Sequence, residues 1–258
     1  MTNKKLEIIE AGLYLQKQEL IARTWGNISA RINDYDFFIT PSGLAYDSIK
    51  EEDIPIVTIR NLKYDKNGPK PSSEKGVHAI AYKLRPECNY VVHTHQFYAS
   101  AICGEGYSIM LPDKTFVPCA EYALPGTKAL VNNVAKEIKN NHNCDIFLMA
   151  RHGVIILAKS MQEALDKAEN LEQQCKIVFE RRVKEITIPA KMKPYLDDYA
   201  QMVPASKDND DPEALKMIKE KNAAAMLYCK DGEPIDTFDA ALQHLVYINK
   251  YSKLRNKK

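Results

Sequence analysis

His93 and His95 flank Thr94 at the end of the apolar run Tyr90-Val91-Val92. On a strand, residues two apart point to the same side, so this spacing aims two imidazoles at one point. Two convergent imidazoles begin a metal site; a single histidine beside a core strand is more often a hydrogen-bonded core residue. A third ligand is needed, and His152 is the candidate, at the mouth of another apolar pair of segments with Gly153 beside it able to take a turn conformation. Three imidazoles suit zinc or another borderline divalent ion.

A site of this kind is catalytic when one coordination position is open or held by a displaceable group, because the metal must act on substrate as a Lewis acid. Glu74 is the candidate for that group. It follows Ser72-Ser73 at a loop-to-helix junction, where the free N–H groups of a first helical turn and two hydroxyls can also hold an anion. The plain alternative is that a serine caps the helix and Glu74 complements its dipole. Gly26-Asn27 and Ser42-Gly43 are two further loops able to bring backbone amides to an anion. No GxxxxGK loop and no GxGxxG after a strand is present, which argues against a nucleoside triphosphate or dinucleotide and leaves a phosphate monoester.

These residues need elements to hold them. Apolar positions Leu6, Ile9, Leu13 and Leu20 give residues 6–20 a helical period, ending before Trp25-Gly26-Asn27. Residues 28–32 and 37–40 read as strands joined by Asn33-Asp34-Tyr35-Asp36, with Thr40-Pro41-Ser42-Gly43 a second turn. Residues 54–60 are strand-like, 65–71 a loop, and 73–84 a helix carrying Val77, Ile80, Ala81 and Leu84. A buried strand over 90–93, a helix over 127–139 and strands over 146–150 and 154–158 follow. Ser160-Met161-Gln162-Glu163 has the spacing of a capping box and opens a long helix to about residue 182. From Pro189 onward the pattern predicts about three further helices, broken over 204–212 and at Asp231-Gly232-Glu233-Pro234.

The chain has 258 residues and a formal net charge of +2, a length that suggests one large domain or one with an elaborated end, and a balance that argues against nucleic acid. Six widely spaced cysteines without a CxxC pair point to reduced thiols rather than a disulfide framework. No run reaches the roughly 18 apolar residues of a membrane span, and residues 1–10 carry acids where a signal peptide would be apolar, so the expected setting is the cytoplasm with no membrane partner.

Taken in order, Gly26-Asn27-Ile28-Ser29, Thr40-Pro41-Ser42-Gly43, Pro71-Ser72-Ser73-Glu74, His93-Thr94-His95 and Arg151-His152-Gly153 resemble the class II aldolase/adducin family, and within it the aldolases of the L-fuculose-phosphate kind. Arg85-Pro86, the segment 118–123 and Gly126-Thr127 share in the resemblance, which covers residues 6–182. It implies an α/β fold of three layers, with a central, mostly antiparallel sheet flanked by helices over residues 1–188, followed by a helical C-terminal extension over 189–258. It also implies a homotetramer with active sites between subunits and a role in carbohydrate metabolism. Carried over, His93, His95 and His152 would bind one Zn2+ per subunit, and Glu74 would be a displaceable fourth ligand and the catalytic base. Gly26, Asn27, Ser42, Gly43, Ser72 and Ser73 would cradle the substrate phosphate; where the family usually has threonine, Ser42 keeps the hydroxyl.

The implied reaction is a retro-aldol cleavage of a ketose 1-phosphate to dihydroxyacetone phosphate and an aldehyde through an enediolate. The family's general acid is a tyrosine of the neighbouring subunit. Because the segment between His95 and Pro118 is shorter here, Tyr107 is the counterpart on offer, and a surface tyrosine is the plain alternative. Within the family a pentulose-phosphate 4-epimerase typically has aspartate after the serine pair, where this chain has Glu74. A methylthioribulose-1-phosphate dehydratase would eliminate water at a similar metal site, and an adducin-like interaction module would have lost the ligands.

Overall fold

The computed structural model of the chain describes residues 3–21, 26–103 and 106–183, together with three short strands further on. The chain divides into two compact units, Met1–Lys176 and Ile177–Lys258. Helix α1 (Lys4–Lys17) opens the first, its end capped by the Asn3 side chain, which accepts from the amides of Lys5 and Leu6. Strands β1 (Asn27–Arg31), β2 (Asp36–Ile39) and β3 (Ile56–Thr58) follow, then α2 (Lys75–Leu84), β4 (Tyr90–Thr94) and α3 (Phe97–Cys103). Next come the short strands β5 (Ile109–Met110), β6 (Phe116–Val117) and β7 (Cys119–Ala120), helix α4 (Lys128–Asn140), and strands β8 (Ile146–Met149) and β9 (Gly153–Ala158). Helix α5 (Met161–Val183) begins where Ser160 accepts the Glu163 amide and Glu163 accepts that of Lys159, a reciprocal cap close to the one expected.

Seven strands form one sheet in the order β3-β2-β1-β4-β9-β8-β7, antiparallel throughout except for β7 with β8. Helices α2 and α4 cover one face, over a core of Phe37, Val77, Val91, Leu130, Val134, Phe147, Ile155 and Leu157. Helices α1 and α3 cover the other. This is the three-layer arrangement of a half-polar helix burying one stripe on a sheet whose central strands are buried on both faces. The central strands β1, β4, β8 and β9 are indeed buried along their whole length.

Several segments differ from expectation. Helix α3 and strands β5 to β7 carry no period long enough to read, since seven or two residues cannot repeat a face. Strand β3 stops at Thr58, where the Thr58 amide donates to Lys63 and its carbonyl receives the Leu62 amide, turning the chain back. In the stretch expected to be helical after Pro189, the described residues are strands: β10 (Gln201–Pro204), β11 (Ala225–Tyr228) and β12 (Pro234–Ile235). They pair antiparallel in that order. Short apolar runs such as Ala225-Met226-Leu227-Tyr228 fit either element by pattern, and pairing partners decide. The remainder of the expected helices lies outside the described residues.

Among the described residues, Cys88, Cys103, Cys119, Cys144 and Cys175 are thiols rather than disulfides. Among the described residues no helix is long and apolar enough to cross a membrane.

Candidate functional site

The β1–β4–β9 centre of the sheet builds the site. His93, on β4, is paired with Asn27 on β1 and with Ile155 on β9. Its ring is fully buried, and Nδ1 lies 2.8 Å from the Val154 carbonyl. An N–H pointed at that carbonyl fixes the tautomer and leaves Nε2 as the free nitrogen. His95 extends past the strand end on the same side. His152 arrives from the loop between β8 and β9, where its amide bonds the Met149 carbonyl and Arg151 takes a φ of 55°.

Gly153 was expected to supply the unusual backbone conformation of that loop. Arg151 supplies it instead, as the left-handed residue of a three-residue hairpin connection. Gly153 is needed for another reason: a Cβ there would lie 2.5 Å from the Thr94 carbonyl and 3.0 Å from His93 Cε1. Gly26, at φ +95°, lets the chain pass equally close to the His93 carbonyl, 2.7 Å from where a Cβ would sit.

The three imidazoles come together with ring centroids 4.6, 4.8 and 5.1 Å apart. One nitrogen from each lies within 4.8 Å of the others. Glu74, at the junction into α2 and 7% exposed, reaches between them. Its Oε2 is 3.0 Å from His93 Nε2 and its Oε1 3.2 Å from His152 Nε2. Asn27 Nδ2 donates to Oε2 at 3.0 Å. Yet His93 Nε2 and Glu74 Oε1 are buried without a hydrogen bond. Such orphaned groups are rare in a folded interior, and a cation among three imidazole nitrogens and a carboxylate would satisfy them. The donor set therefore fits a borderline divalent metal.

Electrostatics agree with that use. Burial pushes His152 down to about 4, with His93 adding to the effect against the pull of Glu74. Burial, with His93 and His152 beside it, also pushes His95 well below the usual histidine range. Both rings are neutral at pH 7 and present lone pairs. Burial alone would raise Glu74, but its contacts with His93 and then His152 outweigh burial and hold its carboxyl well below the usual carboxylate range. In return Glu74 holds His93 above its ordinary value against the burial that lowers it.

The candidate anion loops are stitched together beside Glu74. Ser42 donates its amide to the Lys70 carbonyl at 2.8 Å and Ser72 its amide to Thr40 at 3.1 Å, around a bridge between Pro41 and Pro71. This brings Ser42, Gly43, Ser72 and Ser73 onto two adjoining turns. The capping alternative is not what forms: Ser72 Oγ accepts the Glu74 amide at 3.2 Å in a turn before the helix, while the N-cap residue of α2 is Glu74 itself, with no side-chain cap. Tyr107 is 74% exposed, outside the buried cluster.

Sequence reasoning missed His78, Ser29 and Tyr82. His78 is fully buried, with Nε2 2.5 Å from Asn27 Oδ1 and Nδ1 2.6 Å from Ser29 Oγ, which in turn lies 2.7 Å from the Tyr82 hydroxyl. The available signal was spacing: Glu74, His78 and Tyr82 recur every four residues on one helix face.

Comparison with known proteins places these features in a wider group. Residues 6–179 match the model of the class II aldolase and adducin N-terminal domain. The chain is 31% identical over 188 residues to a probable L-ribulose-5-phosphate 4-epimerase of Mycoplasma pneumoniae, covering 66% of this chain and 78% of that protein. It is 33% identical over 173 residues to the L-fuculose phosphate aldolase of Escherichia coli K12, covering 64% of this chain and 78% of that one. A solved L-fuculose 1-phosphate aldolase superposes with a TM-score of 0.65 at 29% identity, over 74% of this chain and 92% of its own.

Proposed function

Since the chain belongs to the class II aldolase and adducin N-terminal domain family, we propose that it is a zinc-dependent lyase. On this reading it cleaves a ketose 1-phosphate, of the L-fuculose 1-phosphate type, to dihydroxyacetone phosphate and an aldehyde. The observation that carries the reading is the position of Glu74, whose two oxygens lie 3.0 and 3.2 Å from His93 and His152 in a cluster of three imidazoles. A carboxylate so placed can serve first the metal and then the substrate.

His93, His95 and His152 would hold the metal, with Glu74 as the displaceable fourth ligand. The bound ion supplies Lewis-acid stabilisation of the negative charge that carbon–carbon cleavage leaves beside a carbonyl. Glu74, kept ionised by its histidine neighbours, moves the proton at the carbon that becomes nucleophilic in the reverse direction. Gly26, Asn27, Ser42, Gly43, Ser72 and Ser73 bind the phosphate, the two stitched turns offering hydroxyls and amides to its oxygens. Tyr107, exposed and so able to reach a neighbouring subunit, donates the proton on the aldehyde side. The assembly is a cytoplasmic homotetramer with sites between subunits, and residues 1–188 form the catalytic domain.

Likeness to the probable 4-epimerase favours a second reading, in which the same cleavage is followed by recombination of the fragments. Glu74 in place of the aspartate expected there favours the aldolase. The experiment is release of dihydroxyacetone phosphate from a panel of ketose 1-phosphates, with a chelator and then with zinc restored. Release that the chelator abolishes and zinc restores is the expected result. Metal-replete protein that releases none, but interconverts pentulose 5-phosphates, would replace the aldolase by the epimerase.

A further inference from the structure

Glu74, His78 and Tyr82 advance along α2 in steps of about 6.0 Å, and Asn27, Ser29 and Arg31 along β1 in steps of about 6.6 Å. The near match lets the two rows engage rung by rung. Glu74 meets Asn27, His78 lies between Asn27 and Ser29, Tyr82 meets Ser29, and Arg31 donates to the Tyr82 carbonyl.

Proton placement along this ladder follows from its first rung. Asn27 donates its Nδ2 to Glu74 Oε2 at 3.0 Å and turns its Oδ1 to His78 Nε2 at 2.5 Å. That oxygen in turn requires a proton on His78 Nε2. Burial pushes His78 down to about 3, so the ring is neutral and carries one N–H. Nδ1 therefore accepts from the Ser29 hydroxyl, which accepts from Tyr82. The carbonyls of Val91 and Asn89 lie 3.5 Å from these hydroxyls, too far to compete with contacts of 2.6 and 2.7 Å.

We propose that His78 is a positioning residue: as the Nε2–H tautomer, with Nδ1 held by the Ser29 hydroxyl, it locks the Asn27 amide with a donor against Glu74 and so fixes the carboxylate between His93 and His152. The proposal rests on the reading of Glu74 given above. Asn27 held in this way can donate but never accept, so a substrate oxygen reaching it also meets only N–H.

Two variants separate positioning from packing. In His78→Gln the side-chain amide reaches Asn27, whereas in His78→Asn it reaches Ser29 but stops short of Asn27. The expected result is a kcat for His78→Asn about 10- to 100-fold below the parent with KM little changed, the range found when a partner of a metal ligand is lost, and recovery of most of that loss in His78→Gln. In cobalt(II)-loaded protein the visible spectrum should shift in His78→Asn and not in His78→Gln. Nitrogen-15 NMR of the histidines in the full chain should find His78 as the Nε2–H tautomer. An Nδ1–H tautomer or an imidazolium overturns the proposal, as do indistinguishable cobalt spectra for the two variants. Should no sugar phosphate be turned over, the reading of the reaction fails, while the tautomer and the cobalt spectra still decide the role of His78.

Discussion

Asn27 and His93 are directly opposite each other on β1 and β4, and both reach the same oxygen of Glu74, each at 3.0 Å. Sheet register thus sets the geometry of the candidate centre: a slip of one residue would turn either side chain to the opposite face. The helix delivers the carboxylate and the sheet delivers its partners.

On the proposed reading, Glu74 is the residue at which metal binding and turnover separate. Glu74→Gln keeps a neutral group of the same shape among three intact imidazoles, so the protein should retain metal while kcat falls by about 10²- to 10⁴-fold, the usual worth of a positioned proton-transfer group. His152→Ala should instead lose the metal. Elemental analysis of both purified variants, alongside their rates, checks the pair, and a metal-replete His152→Ala protein would remove His152 from the ligand set.

Gly153→Ala should damage fold and site together. The added methyl carbon would sit 2.5 Å from the Thr94 carbonyl, so β4 and β9 must part where His93 and His152 converge. A loss of about 1–3 kcal/mol is expected from overpacking of this kind, read from urea unfolding, with weaker metal binding in the protein that remains folded.

Arg31 is 8% exposed and pairs with carbonyls rather than a carboxylate. It donates to Cys88 at 2.8 Å, Tyr82 at 2.7 Å and Arg85 at 3.2 Å, and its guanidinium lies 4.8 Å from the Tyr82 ring centre. Arg31→Met should cost about 2–4 kcal/mol because several buried carbonyls lose their donor. Arg31→Lys should recover only part, since one ammonium cannot copy the planar fork. Chemical denaturation of the two variants checks the order.

Asp145 gives a pH-dependent test. Burial pushes its carboxyl up, but the Lys167 ammonium at 2.8 Å and the Arg85 guanidinium outweigh it, and the group is held below the usual aspartate range. A lowered carboxylate stabilises the fold above its unfolded value of about 3.9 and loses that contribution as the pH falls through the lower folded value. Asp145→Asn should therefore cost about 1 kcal/mol at pH 7, allowing for screening of a side chain 35% exposed. The gap between parent and variant should close in acid, and denaturation at a series of pH values measures it. A gap that widens in acid would reverse the assigned sign.

The helix and strand periods by themselves determined the main layers and the pairing of His93 with His95, because alternation on a strand and a four-residue step on a helix are local properties of the chain. The motif order likewise pointed to Glu74 and the serine loops. Local pattern fell short where an element is too brief to repeat, as in α3 and β5 to β7, and where strand or helix depends on a partner, as in Ala225–Tyr228. Only the tertiary structure decided that His152 reaches the other two imidazoles and that Gly153 answers to a close approach rather than to a turn. It alone joined Glu74 to Tyr82 through Asn27, His78 and Ser29. Residues 27 and 74 are far apart in the chain, and a hydrogen bond between them exists only once helix and sheet are packed in one register.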